Sequence, residues 1–171
     1  MKIKVVRKLA NYQYFDKMYK DFIKTATNTF KDVVPPIMTE AHKEAIEIEV
    51  YARYEPTMYN GSVYDYVDRR YGDNGLIDEH NFKYDIEINK NSIVIILYNE
   101  TKGNQYAPNN QSDIFIDSVI ITGKGYSWSN SNIAKSKMQR DFYAMTEKIM
   151  ESDKVRDKII KEFNKRGIVM W

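Results

Sequence analysis

The chain opens its longest hydrophobic pattern near Tyr14. Phe15, Met18, Tyr19, Phe22, Ala26, Phe30 and Val33 recur three or four residues apart, which puts them on one face of an amphipathic helix. Pro35-Pro36 predicts an end or a kink there, because proline has no amide to donate and turns the preceding residue away from helix. Pro36 also suits the first turn of a continuation, and Thr39 to about Val50 reads as that second helix. Ile46, Ile48 and Val50 alternate with Glu47, Glu49 and Tyr51, so the last stretch also fits a strand; the helical reading is preferred. Ahead of the helix, Ile3 and Val5 alternate with basic residues as a short first strand or pairing arm.

A period of two appears later. Phe82, Tyr84, Ile86 and Ile88 alternate with Lys83, Asp85, Glu87 and Asn89. The polar turn Lys90-Asn91-Ser92 then leads into Ile93-Val94-Ile95-Ile96-Leu97-Tyr98. These two runs predict a β-hairpin whose first strand has one wet face and whose second, apolar throughout, is buried on both sides. Thr101 to Ser112 is rich in Asn, Gln and Gly and reads as a loop, and Val119-Ile120-Ile121 reads as another short strand closed by a turn at Gly123-Lys124-Gly125-Tyr126. A helix from about Ala134 carries Met138, Phe142, Met145 and Ile149. Ser152 or Asp153 caps a last helix with Val155, Ile159 and Phe163, which Arg166 and Gly167 should stop before the apolar tail Ile168-Val169-Met170-Trp171. No internal repeat or linker appears. The predicted class is α+β: one domain over 1–171, with a long N-terminal helix and C-terminal helices packed on a small, mainly antiparallel β-sheet.

Between these patterns, residues 51–81 hold six tyrosines, three glycines and Pro56 with no sustained period. A stretch of that length without repeat, inside a compact domain, is functional or disordered, and its aromatic content argues against disorder. Tyr51, Tyr54, Tyr59, Tyr64, Tyr66, Arg69, Arg70 and Tyr71 combine large amphipathic rings with planar, multidentate cations, the types enriched where protein surfaces meet. The plainer alternative is that individual rings close over the hairpin. Stacking of bases with phosphate pairing is a third reading, although no nucleic-acid-binding signature accompanies these residues.

Composition narrows the chemistry. Hydrophobic residues form 43% of the chain and charged residues 29%, as in an ordinary globular protein. The absence of cysteine excludes disulfides, zinc-thiolate sites and thiol nucleophiles, and fits folding in a reducing cytoplasm. A formal charge of +2 decides nothing about nucleic acid, which leaves open local basic clusters such as Lys2, Lys4, Arg7 and Lys8, and no window is long and apolar enough for a signal peptide or membrane span. His80 with Asp73, Asp78 and Glu79 makes a hydrolytic metal site on paper, but acids in a loop beside a histidine are more often solvated turn residues. His42 stands in a predicted helix without a companion. Glu40, Glu44 and Glu47 share a helical face that reads as solvated, and Gly123-x-Gly125 lacks the rest of a phosphate-loop fingerprint. Serines 127, 129, 131 and 136 lack the nucleophile elbow. The expectation is a protein without catalytic residues, metal or cofactor.

Tyr54-Glu55-Pro56-Thr57-Met58-Tyr59, Tyr66-Val67-Asp68-Arg69-Arg70 and Asn74-Gly75-Leu76-Ile77-Asp78 together resemble the Tyr-x-Pro, Tyr-x-Arg-Arg, Gly-Gly-Leu-x-Asp series of the neck and tail-completion proteins of tailed bacteriophages. The order of the remaining elements agrees, from a helix before the series to Thr122-Gly123-Lys124-Gly125-Tyr126, Arg140-Asp141-Phe142 and Lys165-Arg166-Gly167-Ile168 after it. The likeness runs from about residue 14 to 168. Three departures stand out: a nine-residue spacer between Tyr59 and Arg69, Asp141 where proline is common, and one glycine before Leu76. The resemblance implies a structural virion protein, assembled in the bacterial cytoplasm, that forms a homo-oligomeric ring at the head-tail junction and joins the connector to the tail tube or tail terminator. It implies a subunit contact through Tyr54, Pro56, Tyr59, Tyr66, Arg69, Arg70, Tyr71, Gly75, Leu76 and Asp78. The alternatives are a DNA-contacting channel or packaging-associated module and a phage-encoded metal-dependent hydrolase.

Overall fold

The computed structural model describes residues 12–53, 75–89, 92–102, 115–123 and 138–169. The predicted first strand at Ile3 and Val5 and most of the aromatic stretch, residues 54–74, lie outside them. The fold is α+β. Helix α1 runs Tyr12–Ile46 and ends in a π-helical turn, Glu47–Tyr51. A 3-10 turn, Glu79–Asn81, leads into β1, Phe82–Ile88, which pairs antiparallel with β2, Ile93–Asn99. Among the described residues three helices follow: α2 at Ile116–Thr122, α3 at Phe142–Met150 and α4 at Asp153–Lys165. Helix α1 is the spine, with α3 and α4 packed along it and the hairpin against its second half.

The proline pair does not end α1. Pro35 and Pro36 remove the donors that the carbonyls of Lys31 and Asp32 would have received. Lys31 and Asp32 are exposed, so water can solvate that side of the helix. The opposite side is held by packing: Val33 and Ile37 join Val155, Phe163 and Ile168 in one buried cluster, and that burial outweighs the missing bonds. The helical reading of Ile46 to Val50 holds, in a widened form. Ala52 N–H donates to the Glu47 carbonyl at 2.8 Å, five residues back.

A second cluster joins Ala45, Ile46 and Val50 to Leu76, Phe82, Leu97, Ile120 and Phe142. The hairpin register, Phe82 opposite Asn99 through Ile88 opposite Ile93, follows the predicted alternation. Strand β2 is not buried on both sides, however. Leu97 faces the core, while Val94 and Ile96 face solvent because, among the described residues, the sheet has two strands and no element is layered on its outer side. Val119-Ile120-Ile121 is helical rather than a strand: Ile120 is buried in the cluster with Ile116 and Ile121 packed against it, and the Ile116 amide donates to the Thr101 carbonyl at 2.9 Å. Gly123 closes that helix, not a strand, at φ 64°, where a Cβ would be strained.

Helix α3 begins at Phe142, after the non-helical Met138 to Asp141, while the predicted start near Ala134 lies outside the described residues. The Asp141 carboxylate starts it by accepting the Ala144 amide at 2.9 Å. The predicted end of the fold is well matched. Ser152 Oγ accepts from the Val155 amide at 3.4 Å, and Gly167 turns left-handed at φ 78°. The amides of Gly167 and Ile168 then return to the carbonyls of Asn164 and Phe163, folding Ile168 back into the core.

Candidate functional site

The aromatic stretch enters and leaves through one core. Val50, just before it, and Leu76, just after it, belong to the same buried cluster. On the entering side the π turn buries Glu49, and Arg53 Nη2 donates to both of its carboxylate oxygens at 2.8 and 2.7 Å. On the leaving side the backbone of Gly75 and Leu76 is tied down by side chains from β2 and the segment beyond it. Asn99 is 2% exposed; its Nδ2 donates to the Leu76 carbonyl at 2.8 Å, and its Oδ1 accepts the Thr101 amide at 2.9 Å. The Gly75 carbonyl accepts from Asn81 Nδ2 at 3.2 Å and from Thr101 Oγ1 at 3.3 Å. The Tyr143 hydroxyl accepts the Asn99 amide at 2.7 Å and donates to Asp117 at 3.3 Å. Burial raises the pKa of that phenol, so it stays a neutral donor. Asp78 caps the 3-10 turn by accepting from the His80 amide at 3.0 Å and from His80 Nδ1 at 2.8 Å.

Of the residues expected to form a subunit contact, Gly75, Leu76 and Asp78 therefore lie at the base of the stretch. Leu76 is 4% exposed, so its side chain is packed inside the fold and offers almost no surface of its own. Tyr54, Pro56, Tyr59, Tyr66, Arg69, Arg70 and Tyr71 lie outside the described residues. The Asn99 and Thr101 anchor had no sequence signal beyond a polar pair following an apolar strand.

Two exposed apolar surfaces went unrecognised in the sequence. The first is the outer half of α1, where Phe15, Tyr19 and Phe22 are 63%, 65% and 55% exposed, with Met18 and Ile23 beside them. The second is the solvent side of the hairpin. Val94 and Ile96 are 40% and 45% exposed there, opposite Glu87 and Asp85, with Tyr98 opposite Lys83.

A family model for YomN matches residues 11–166, taking in every element from α1 to α4. The chain belongs to the YomN family. YomN proteins are phage-derived, so the phage origin implied by the motif series stands. No curated protein and no solved structure matched.

Within this YomN chain the candidate chemical groups are arranged as follows. His42 is fully buried among the rings of Phe82, Phe142 and Tyr143, at centroid distances of 5.0, 5.3 and 5.1 Å. Thr146 Oγ1 donates to the Phe142 carbonyl at 2.7 Å, so it accepts from His42 Nδ1 at 2.9 Å and fixes the neutral tautomer with Nε2 bare. Burial lowers the His42 pKa to about 4. His80 is exposed and held by Asp78, while Asp73 lies outside the described residues. Among the described residues no three acids or histidines are grouped to hold a metal ion. Glu40 and Glu44 line a groove of about 300 Å³ between α1, α3 and α4, and Glu40 pairs with Lys158 there. None of the described helices is long and apolar enough to cross a membrane.

Proposed function

We propose that this protein is a structural component of a tailed-phage particle, one of a ring of identical subunits in the neck or tail-completion layer at the head-tail junction. It works by binding rather than by catalysis, and its neighbours are copies of itself, the connector on one side and the tail tube or tail terminator on the other. The observation that supports this reading is the double anchorage of the aromatic stretch. A segment rich in Tyr and Arg contributes to an interface only if its ends are held, because each side chain ordered on binding costs free energy that preorganisation saves. Here both ends rest on one buried cluster, and Gly75 and Leu76 are tied by Asn81, Asn99 and Thr101. Tyr54, Pro56, Tyr59, Tyr66 and Tyr71 supply apolar area, Arg69 and Arg70 pair with acidic groups of the neighbour, and Gly75, Leu76 and Asp78 hold the base. A heterologous contact whose rotation closes yields a ring. The test is Arg69→Ala with Arg70→Ala, read by incorporation into particles and by oligomer size. Loss of incorporation is expected, and a double variant that assembles like the parent would sink the assignment.

A further inference from the structure

The two exposed apolar surfaces are complementary in form. Phe15, Tyr19 and Phe22 span eight residues of α1, about 10 Å at the helical rise. Val94, Ile96 and Tyr98 span five residues of β2, about 13 Å at the strand rise. A two-stranded sheet covered on one side has room for a second layer, and a helix laid on its outer side is the ordinary way to supply it.

The charges are complementary too. From Phe15 to Thr25 the helix carries Lys17, Lys20 and Lys24 against Asp16 and Asp21, an excess of one positive charge. The outer face of the sheet carries Asp85 and Glu87 against Lys83, an excess of one negative charge. Partial desolvation first, then the Asp85 and Glu100 carboxylates, raise the Tyr98 phenol above its usual pKa. Pairing α1 with α1 would set lysine-rich surfaces against each other and leave Val94 and Ile96 uncovered.

We infer that the outer half of α1 from one copy lies across the solvent side of the hairpin of a second copy. The contact is heterologous, so each subunit gives a helix to one neighbour and a sheet to the other. This rests on the ring-forming reading above and adds a second contact to it, away from the aromatic stretch.

Sedimentation of the full chain tests the pairing with Phe22→Glu, which spoils the helix, and Ile96→Lys, which spoils the sheet. Both side chains are exposed, so thermal melts should match the parent; Tyr19→Glu replaces the first variant if it unfolds. All measurements are made in an Arg69→Ala, Arg70→Ala background, which removes the contact through the aromatic stretch; there the otherwise unaltered protein, the parent of this comparison, is expected to associate with rising concentration and each variant to remain monomeric. An equimolar mixture of the two variants should form a one-to-one dimer, because an intact helix meets an intact sheet only between unlike partners. An Ile96→Lys protein that associates like the parent, or a mixture that stays monomeric, overturns the pairing. A parent that stays monomeric at every concentration overturns it as well, while incorporation of the arginine variant into particles still decides the wider reading.

Discussion

Helix α1 has two halves with the same repeat and opposite surroundings. From Val33 to Ile46 its apolar face is buried against α3, α4 and the hairpin, whereas from Phe15 to Ile23 the same spacing presents aromatic rings to solvent. Periodicity records that a face is apolar; what covers it depends on the length of the other elements. Helix α4 has 13 residues and α1 has 35, so the shorter helix cannot accompany the longer one to its start. The outer half is long, regular and apolar on one side, and among the described elements α3, α4 and the hairpin stop short of it.

The contrast can be broken by substitution. Ile37→Ala leaves a cavity in the cluster with Val155 and Phe163 and should cost about 2 to 5 kcal/mol in denaturant unfolding. A cost near zero would mean that the inner half is not packed as described. His42, further along the buried half, adds a pH dependence. Its folded pKa of about 4 lies below the unfolded 6.5, so the unfolded chain takes up the proton first. Stability present above pH 6.5 should fall by roughly 3 kcal/mol as pH drops toward 4. Unfolding curves across that range check it, and His42→Gln should flatten the slope. Asn99→Ala strips the Leu76 carbonyl and the Thr101 amide of buried partners and should cost about 2 kcal/mol, with protease cutting between residues 54 and 74 accelerated. The smallest effect belongs to the outer half, where Phe22→Ala in the monomer should change stability by less than about 0.5 kcal/mol. If it costs as much as Ile37→Ala, the two halves do not differ.

Legibility followed how local the deciding interactions are. The hairpin register, the Ser152 cap and the Gly167 stop could all be read because alternation, a capping hydroxyl and a left-handed glycine act within a few residues. Val119-Ile120-Ile121 misled because β-branched residues favour strands only where a partner strand exists; here the Thr101 carbonyl and the Leu76 cluster receive a helical face instead. The proline pair does not end the helix for a related reason, since Val33 and Ile37 are held by residues more than a hundred positions away. At the candidate site, composition located the aromatic stretch and the motif series pointed to a phage origin. The clamp on its base was not readable, because an Asn and a Thr announce nothing until Leu76 lies beside them.

An unbroken α1 also works as a ruler. Its 35 residues set about 50 Å of helical rise between the exposed rings near its start and the π turn that releases the aromatic stretch at its end. With no loop between them to absorb a change, inserting or deleting two turns would move one contact relative to the other by about 10 Å. The diameter of any closed assembly built on both contacts is thus written into the length of a single helix.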